Sequence, residues 1–202
     1  MSEADRHREE WEARYRAGRT AWDRGAVSPA LERWRARGLL VPGRIFVPGC
    51  GKGHEVLTLA RLGFTVTAVD VAPSPVAALR RTVAEAGVEA EVLEADVLEW
   101  EPSLPFDAVY EQTFLCALDP PTWPAYVARL ARWLVPGGRL FALFMQTRRP
   151  GGPPYHCELG EMRDLLREPE WVWPEGGPMV VPHPNGFEEL GYVLTRRCTG
   201  TD

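Results

Sequence analysis

Glycine stands at every second position from Gly49 to Gly53, directly after the short apolar run Ile45-Phe46-Val47. The residues that follow, His54 to Leu62, are apolar at helical spacing and stop at Gly63. Strand, glycine loop and helix N-terminus in that order make the first βα turn of a nucleotide-binding fold. A residue without Cβ takes positive φ and lets a ligand come close to the main chain.

The rest of the chain keeps strand and helix alternating. Phe64 to Val69 is β-branched and apolar and ends in Asp70, so the crossover makes it parallel to the first strand. Ala72-Pro73-Ser74-Pro75 opens a helix running to about Gly87, and Glu89 to Ala95 forms a third strand ending at Asp96. Phe106 to Tyr110 is a fourth strand. Thr122-Trp123-Pro124 begins a helix with apolar Val127, Leu130, Ala131 and Leu134, which Pro136-Gly137-Gly138 is expected to end. Arg139 to Met145 is then a strand covered on both faces. Upstream, residues 3 to 18 form a charged helix with Trp11 and Tyr15 one turn apart. A loop carrying Trp22 follows, and a second helix opens at Ser28-Pro29. Downstream come a punctuated loop from Arg148 to Tyr155, a short helix at Glu158 to Leu166, and strand fragments Met179 to Val181 and Gly191 to Thr195. These two fragments are expected to pair antiparallel at the sheet edge, with a loose tail from Thr199 to Asp202. The expected architecture is a doubly wound, mostly parallel seven-stranded α/β sheet. It forms one domain over 1–202, with a helical lid over 1–40, a binding core over 41–146 and a loop with antiparallel edge strands over 147–202.

A net charge of -5 gives no electrostatic case for nucleic acid or an anionic membrane as partner. No apolar run approaches the roughly 20 residues of a bilayer span, and the charged start is unlike a signal peptide. The chain reads as soluble and cytoplasmic, with its oligomeric state open and a monomer favoured. Cys50, Cys116, Cys157 and Cys198 are scattered without a CxxC, as suits reduced thiols. Cys50-x3-His54 lacks a second ligand pair, so no metal is expected. Lys52 is the only lysine.

Two ligand classes use such a first turn: dinucleotides and S-adenosylmethionine. A dinucleotide fingerprint needs glycine where this chain has His54. Asp70, at the second strand tip, is placed to accept ribose hydroxyls in either class, and otherwise is a capping aspartate. Asp96 is placed to meet an adenine amino group, with Val97 offering main chain, and otherwise is a turn aspartate.

Five separated motifs carry a more specific signal. Trp11-x3-Tyr15, Thr20-x-Trp22-Asp23, Val47-Pro48-Gly49-Cys50-Gly51, Phe114-x-Cys116-Ala117-Leu118 and Gly151-Gly152-Pro153-Pro154-Tyr155 occur in one order across about residues 10 to 160. Together they resemble the thiopurine S-methyltransferase superfamily, which includes halide/thiol methyltransferases. The resemblance implies a Rossmann-like class I methyltransferase with S-adenosylmethionine as methyl donor and S-adenosylhomocysteine as product. Its acceptor would be a small-molecule thiol or halide. Alternatives are an oxygen, nitrogen or metalloid acceptor, or a non-catalytic module binding S-adenosylmethionine or a dinucleotide. Carried over by residue, it sets Trp11 and Trp22 over the cofactor, with Tyr15 serving where the family has a second aromatic, Gly49 against its methionine part, and Gly51 as a further cofactor-binding residue. It sets Asp70 on the ribose and Asp96 with Val97 at the adenine.

Class I members usually head the glycine loop with an acidic residue, where this chain has Val47. Aromatic faces would compensate through cation-π attraction to the cationic cofactor, about 0.5 to 2 kcal/mol each. Glu111, Gln112 and Tyr155 are expected to converge above the cofactor, with Gln112 touching it and Tyr155 facing the substrate. Gln112 replaces a tyrosine frequent in the family, and Trp123 an arginine. Arg148 or Arg149 is placed to substitute for that arginine, and Phe114, Trp123 and Tyr155 to form an aromatic pocket.

Overall fold

The structure, a computed structural model, describes residues 3–197; the expectations for Cys198 and for the tail from Thr199 lie outside them. The chain gathers into two compact units, divided after Glu101.

In the first unit, helix α1 (Glu3–Arg16) and helix α2 (Pro29–Ala36) precede strand β1 (Arg44–Pro48), helix α3 (His54–Arg61), strand β2 (Thr65–Asp70), helix α4 (Pro73–Glu85) and strand β3 (Ala90–Glu94). β2 pairs in parallel with β1 on one side and β3 on the other. Ile45, Phe46, Ala68 and Val69 have no exposed surface, which explains why these strands read as apolar runs rather than alternating ones. Phe46 stacks on Trp100 with centroids 5.2 Å apart. Ser28 caps α2 by accepting from Ala30 N, as its position before Pro29 predicts.

α4 has no side-chain cap of its own, and its Ser74 is met by α1. The Glu12 carboxylate accepts the Ser74 amide at 2.9 Å as well as the Ser74 hydroxyl. A carboxylate at a helix N-terminus also complements the macrodipole. Burial would raise the Glu12 acid, but the bonds from Ser74 and Arg16 outweigh it and hold the group below its ordinary range.

The second unit runs through strand β4 (Phe106–Gln112), helix α5 (Trp123–Trp133), strand β5 (Leu134–Gln146), helix α6 (Leu159–Leu165) and strands β6 (Trp171–Val172), β7 (Met179–Pro182) and β8 (Glu188–Arg196). β4 and β5 are parallel, whereas β8 runs antiparallel to β5, β6 and β7. The antiparallel pairing of the two late fragments is therefore present, but β8 is flanked on both sides rather than lying at an edge. The described residues hold eight strands rather than the expected seven, the addition being the two-residue β6.

A second correction concerns Pro136-Gly137-Gly138, which does not end α5. The helix stops at Trp133 and the strand runs on from Leu134. Register passes from Phe106 opposite Leu134 to Ala108 opposite Arg139, so Asp107 faces residues 135–138. These form a bulge, where proline's missing N–H breaks no ladder bond. A Cβ at Gly138 would lie 2.8 Å from the Val135 carbonyl oxygen.

Candidate functional site

The glycine loop joins β1 to α3, with Gly49, Gly51 and Gly53 at φ of 55°, 50° and 71°. Gly53 is required by packing: a Cβ there would lie 2.3 Å from a Leu79 methyl. Asp70, at the end of β2, accepts the Gly51 amide through Oδ2 and the Ala72 amide through Oδ1, both at 2.9 Å. Burial raises the Asp70 acid, and the amides of Ala72 and Gly51 pull it back.

Above the loop stand three aromatic side chains from two segments. Trp11 and Trp22 meet edge to face at 5.4 Å, and Tyr15 and Trp22 at 5.6 Å. Trp22 hydrogen-bonds the Tyr15 hydroxyl, and that oxygen is 2.8 Å from where a Cβ on Gly51 would sit. Burial and then the Asp70 charge push the Tyr15 hydroxyl upward, so it stays protonated. Arg14 lies over one face of Trp11, 4.9 Å from the ring centroid.

Trp11 also reaches Asp96. Its indole donates to His7 Nε2 at 2.8 Å, and His7 Nδ1 is 3.8 Å from Asp96 Oδ2. An accepting Nε2 puts the proton of neutral His7 on Nδ1, toward the carboxylate. The other oxygen of Asp96 accepts the Leu98 amide at 2.8 Å, the behaviour of a turn aspartate, and Val97 is 2% exposed. One unit therefore brings Trp11, Tyr15, Trp22, Gly51 and Asp70 into a contiguous set, with Asp96 linked through His7.

The sequence reading missed the contacts that hold the Trp22 loop in place. Asp23 Oδ1 lies 3.0 Å from His54 Nε2 and accepts the Gly25 amide at 2.9 Å, while Oδ2 lies 2.5 Å from Lys52 Nζ. The signal was present as an aspartate beside a tryptophan and two basic residues flanking Gly53.

The second unit holds the remaining candidates. Gln112 ends β4, and its Oε1 accepts the Tyr110 hydroxyl at 3.0 Å. Glu111, the residue before Gln112, is buried. It is 2% exposed, and its Oε1 accepts the amides of Phe114 at 3.1 Å and Leu115 at 2.8 Å, closing the turn after Thr113, whose φ is 59°. Burial raises Glu111 to about 7 against those bonds, and the Glu189 charge adds to the rise. Tyr126, buried on α5, has an Oη without a hydrogen-bond partner among the described residues.

Trp123 is 6% exposed, its indole donating to the carbonyls of Leu115 and Leu118, and Phe114 packs edge-on against Tyr126 at 5.2 Å. Both brace the turn. The Tyr155 amide donates to Cys116 O at 2.7 Å, and the Tyr155 ring lies on Gly152, where a Cβ would be 2.5 Å from its Cγ. Arg148 pairs with Glu188, and Arg149 lies over Phe187 at 5.3 Å. Among the described residues, no group of three or more His, Cys, Asp or Glu side chains has metal-binding geometry, and no helix is long and apolar enough to cross a membrane.

Comparison with known proteins adds the following. The family model described as thiopurine S-methyltransferase matches residues 6–175. A probable thiol methyltransferase 2 of Arabidopsis thaliana is 33% identical over 159 residues, covering 77% of this chain and 70% of its own length. Thiocyanate methyltransferase 1 of the same plant is 31% identical over 187 residues, covering 90% and 82%. The structure of Burkholderia thailandensis 1,6-didemethyltoxoflavin-N1-methyltransferase, with bound 1,6-didemethyltoxoflavin and S-adenosylhomocysteine, matches with a TM-score of 0.78 at 22% identity. That match covers 98% of this chain and 92% of the other, and it is a likeness of fold.

Proposed function

Because this chain belongs to the thiopurine S-methyltransferase family and is an S-adenosylmethionine-dependent methyltransferase, we propose that it methylates a small thiol at sulfur. The relatives named for thiol and thiocyanate methylation support a sulfur acceptor. One observation carries the cofactor assignment to particular residues: three aromatic side chains stand at a positive-φ glycine loop whose buried charged neighbour is the carboxylate of Asp70. The aromatic faces suit a cation.

When bound, the cofactor supplies an electrophilic methyl group on a sulfonium that is already a good leaving group. The protein's own task is alignment, exclusion of water and selection of the nucleophile. Trp22, Tyr15 and Trp11 cover the positive end, Gly49 and Gly51 let it approach the main chain, and Asp70 receives the ribose. Asp96 and Val97 border the adenine. Gln112 and Tyr155 belong to the acceptor side, where Tyr155 is held by the Cys116 carbonyl. A thiol close to its own ionisation needs little further acid-base help.

The test is release of S-adenosylhomocysteine from S-adenosylmethionine with a panel of thiols, thiocyanate, iodide and a thiopurine. Turnover is expected on thiols. Tight S-adenosylmethionine binding in calorimetry with no turnover on any sulfur acceptor overturns the acceptor assignment. Stabilisation by NAD alone overturns the residue assignment at the loop.

A further inference from the structure

We propose that Asp23 is the specificity-determining residue for the charge of the cofactor: it clamps the Trp22 loop onto the glycine loop and cancels the cation of Lys52, which lies in that loop. The proposal rests on the assignment of the glycine loop and its aromatic cluster as the cofactor site.

Three donors from two segments converge on this carboxylate. Lys52 and His54 come from the glycine loop and the start of α3, and the Gly25 amide comes from the Trp22 loop itself. The Asp23 amide in turn donates to Thr20 O at 2.9 Å, so residues 20–25 form a closed turn. The Asp23 side chain is 11% exposed, whereas that of Lys52 is 53% exposed. Burial works against the Asp23 charge, yet the bonds from Lys52, Gly25 and His54 keep the acid below its ordinary range. It is therefore ionised throughout the neutral range, and the clamp is charged.

The consequence is chemical as well as mechanical. Lys52 sits between Gly51 and Gly53, so without Asp23 its cation would stand uncompensated on the loop that receives a sulfonium. S-adenosylmethionine carries that sulfonium charge, and S-adenosylhomocysteine, having lost the methyl group, does not. Loss of the clamp weakens both ligands by freeing Trp22. Loss of the compensation weakens the sulfonium ligand more than the thioether.

The experiment is calorimetric titration at low salt of both ligands into the full chain and into Asp23→Asn, Lys52→Met and the double variant. Hydrogen exchange of residues 20–25 is followed in the free proteins. Relative to the parent, Asp23→Asn is expected to shift the affinity ratio of S-adenosylmethionine to S-adenosylhomocysteine about threefold toward the product, on Coulomb's law for a partly solvated charge. Lys52→Met shifts it the other way, the double variant restores it, and exchange in 20–25 speeds up in Asp23→Asn. A ratio unchanged across the variants, with both ligands still bound, overturns the charge assignment alone. Exchange as slow in Asp23→Asn as in the parent overturns the clamp, whatever the ligands do. Failure of the parent to bind either ligand overturns the site assignment and this proposal with it.

Discussion

In residues 3–101 the buried carboxylate of Asp70 is bonded at both oxygens, to the amides of Gly51 and Ala72. In residues 102–197 the buried carboxylate of Glu111 takes two amides on a single oxygen and feels a second acid, Glu189. Both sit at the C-terminal ends of parallel strands, and burial raises both. Donors on each oxygen fasten Asp70 to two segments and make the glycine loop a rigid cradle. Burial, with a smaller contribution from the Glu189 charge, puts the proton of Glu111 at stake near pH 7. One unit is organised by geometry, the other by a group whose ionisation is poised.

The sharpest way to break the first half of that contrast is Gly53→Val. The substitution puts branched carbon into Leu79 at a φ of 71°. Overpacking and left-handed strain together should cost about 3 to 5 kcal/mol in denaturant unfolding. A loss below 1 kcal/mol would mean that the loop yields and is no cradle.

The second half is tested by pH. Glu111 has a folded-state value of about 7 against an ordinary 4.5, so the folded protein binds the proton more tightly than the unfolded chain. Its contribution to stability is complete below the unfolded value and disappears as pH rises through 7, a span of roughly 3 kcal/mol. Thermal unfolding should therefore show the parent losing stability from pH 5 to 8. Glu111→Gln, which keeps an accepting oxygen, should flatten that slope; parallel curves would assign the poise to another group.

Trp22→Ala sharpens the contrast at the cofactor. It should weaken S-adenosylmethionine about tenfold in calorimetry, near the upper range for a cation-π contact, with the fold intact by circular dichroism. The smallest effect belongs to Glu158→Ala. Its side chain caps α6 by accepting the Glu161 amide at 3.0 Å, and its removal should cost about 1 kcal/mol.

Most of the architecture was legible because the first three strands and their crossover helices are set by local chemistry: apolar β-branched runs, an N-cap before proline, glycine at helix ends. Pro136-Gly137-Gly138 misled because breaker residues report on local conformation, whereas the bulge is permitted by β4 across the ladder. Trp11, Tyr15 and Trp22 were legible as a family motif, and their mutual packing follows from one helical turn plus a short loop. The burial of Glu111 was not legible because a carboxylate at a strand end reads as accessible. The electrostatic neighbours of Glu111 include Tyr126 on α5 and Glu189 on β8, elements distant in the sequence. The surrounding Val109-Tyr110-Glu111, an acid inside an apolar run, was the available sign. Asp23 escaped for a similar reason, its partners being 29 and 31 positions away.

The position of Lys52 has a practical consequence. It is the sole lysine of the 202-residue sequence, it is half exposed, and it lies within the glycine loop. Any reagent directed at lysine side chains, whether a fluorophore or an activated sensor surface, will attach at the mouth of the cradle and nowhere else along the side chains. Immobilised through that group, the protein would present its binding loop to the support, and its affinity for the methyl donor would be masked by the attachment. The same uniqueness offers a footprint, because acylation at one residue reads out directly how well the cradle is covered.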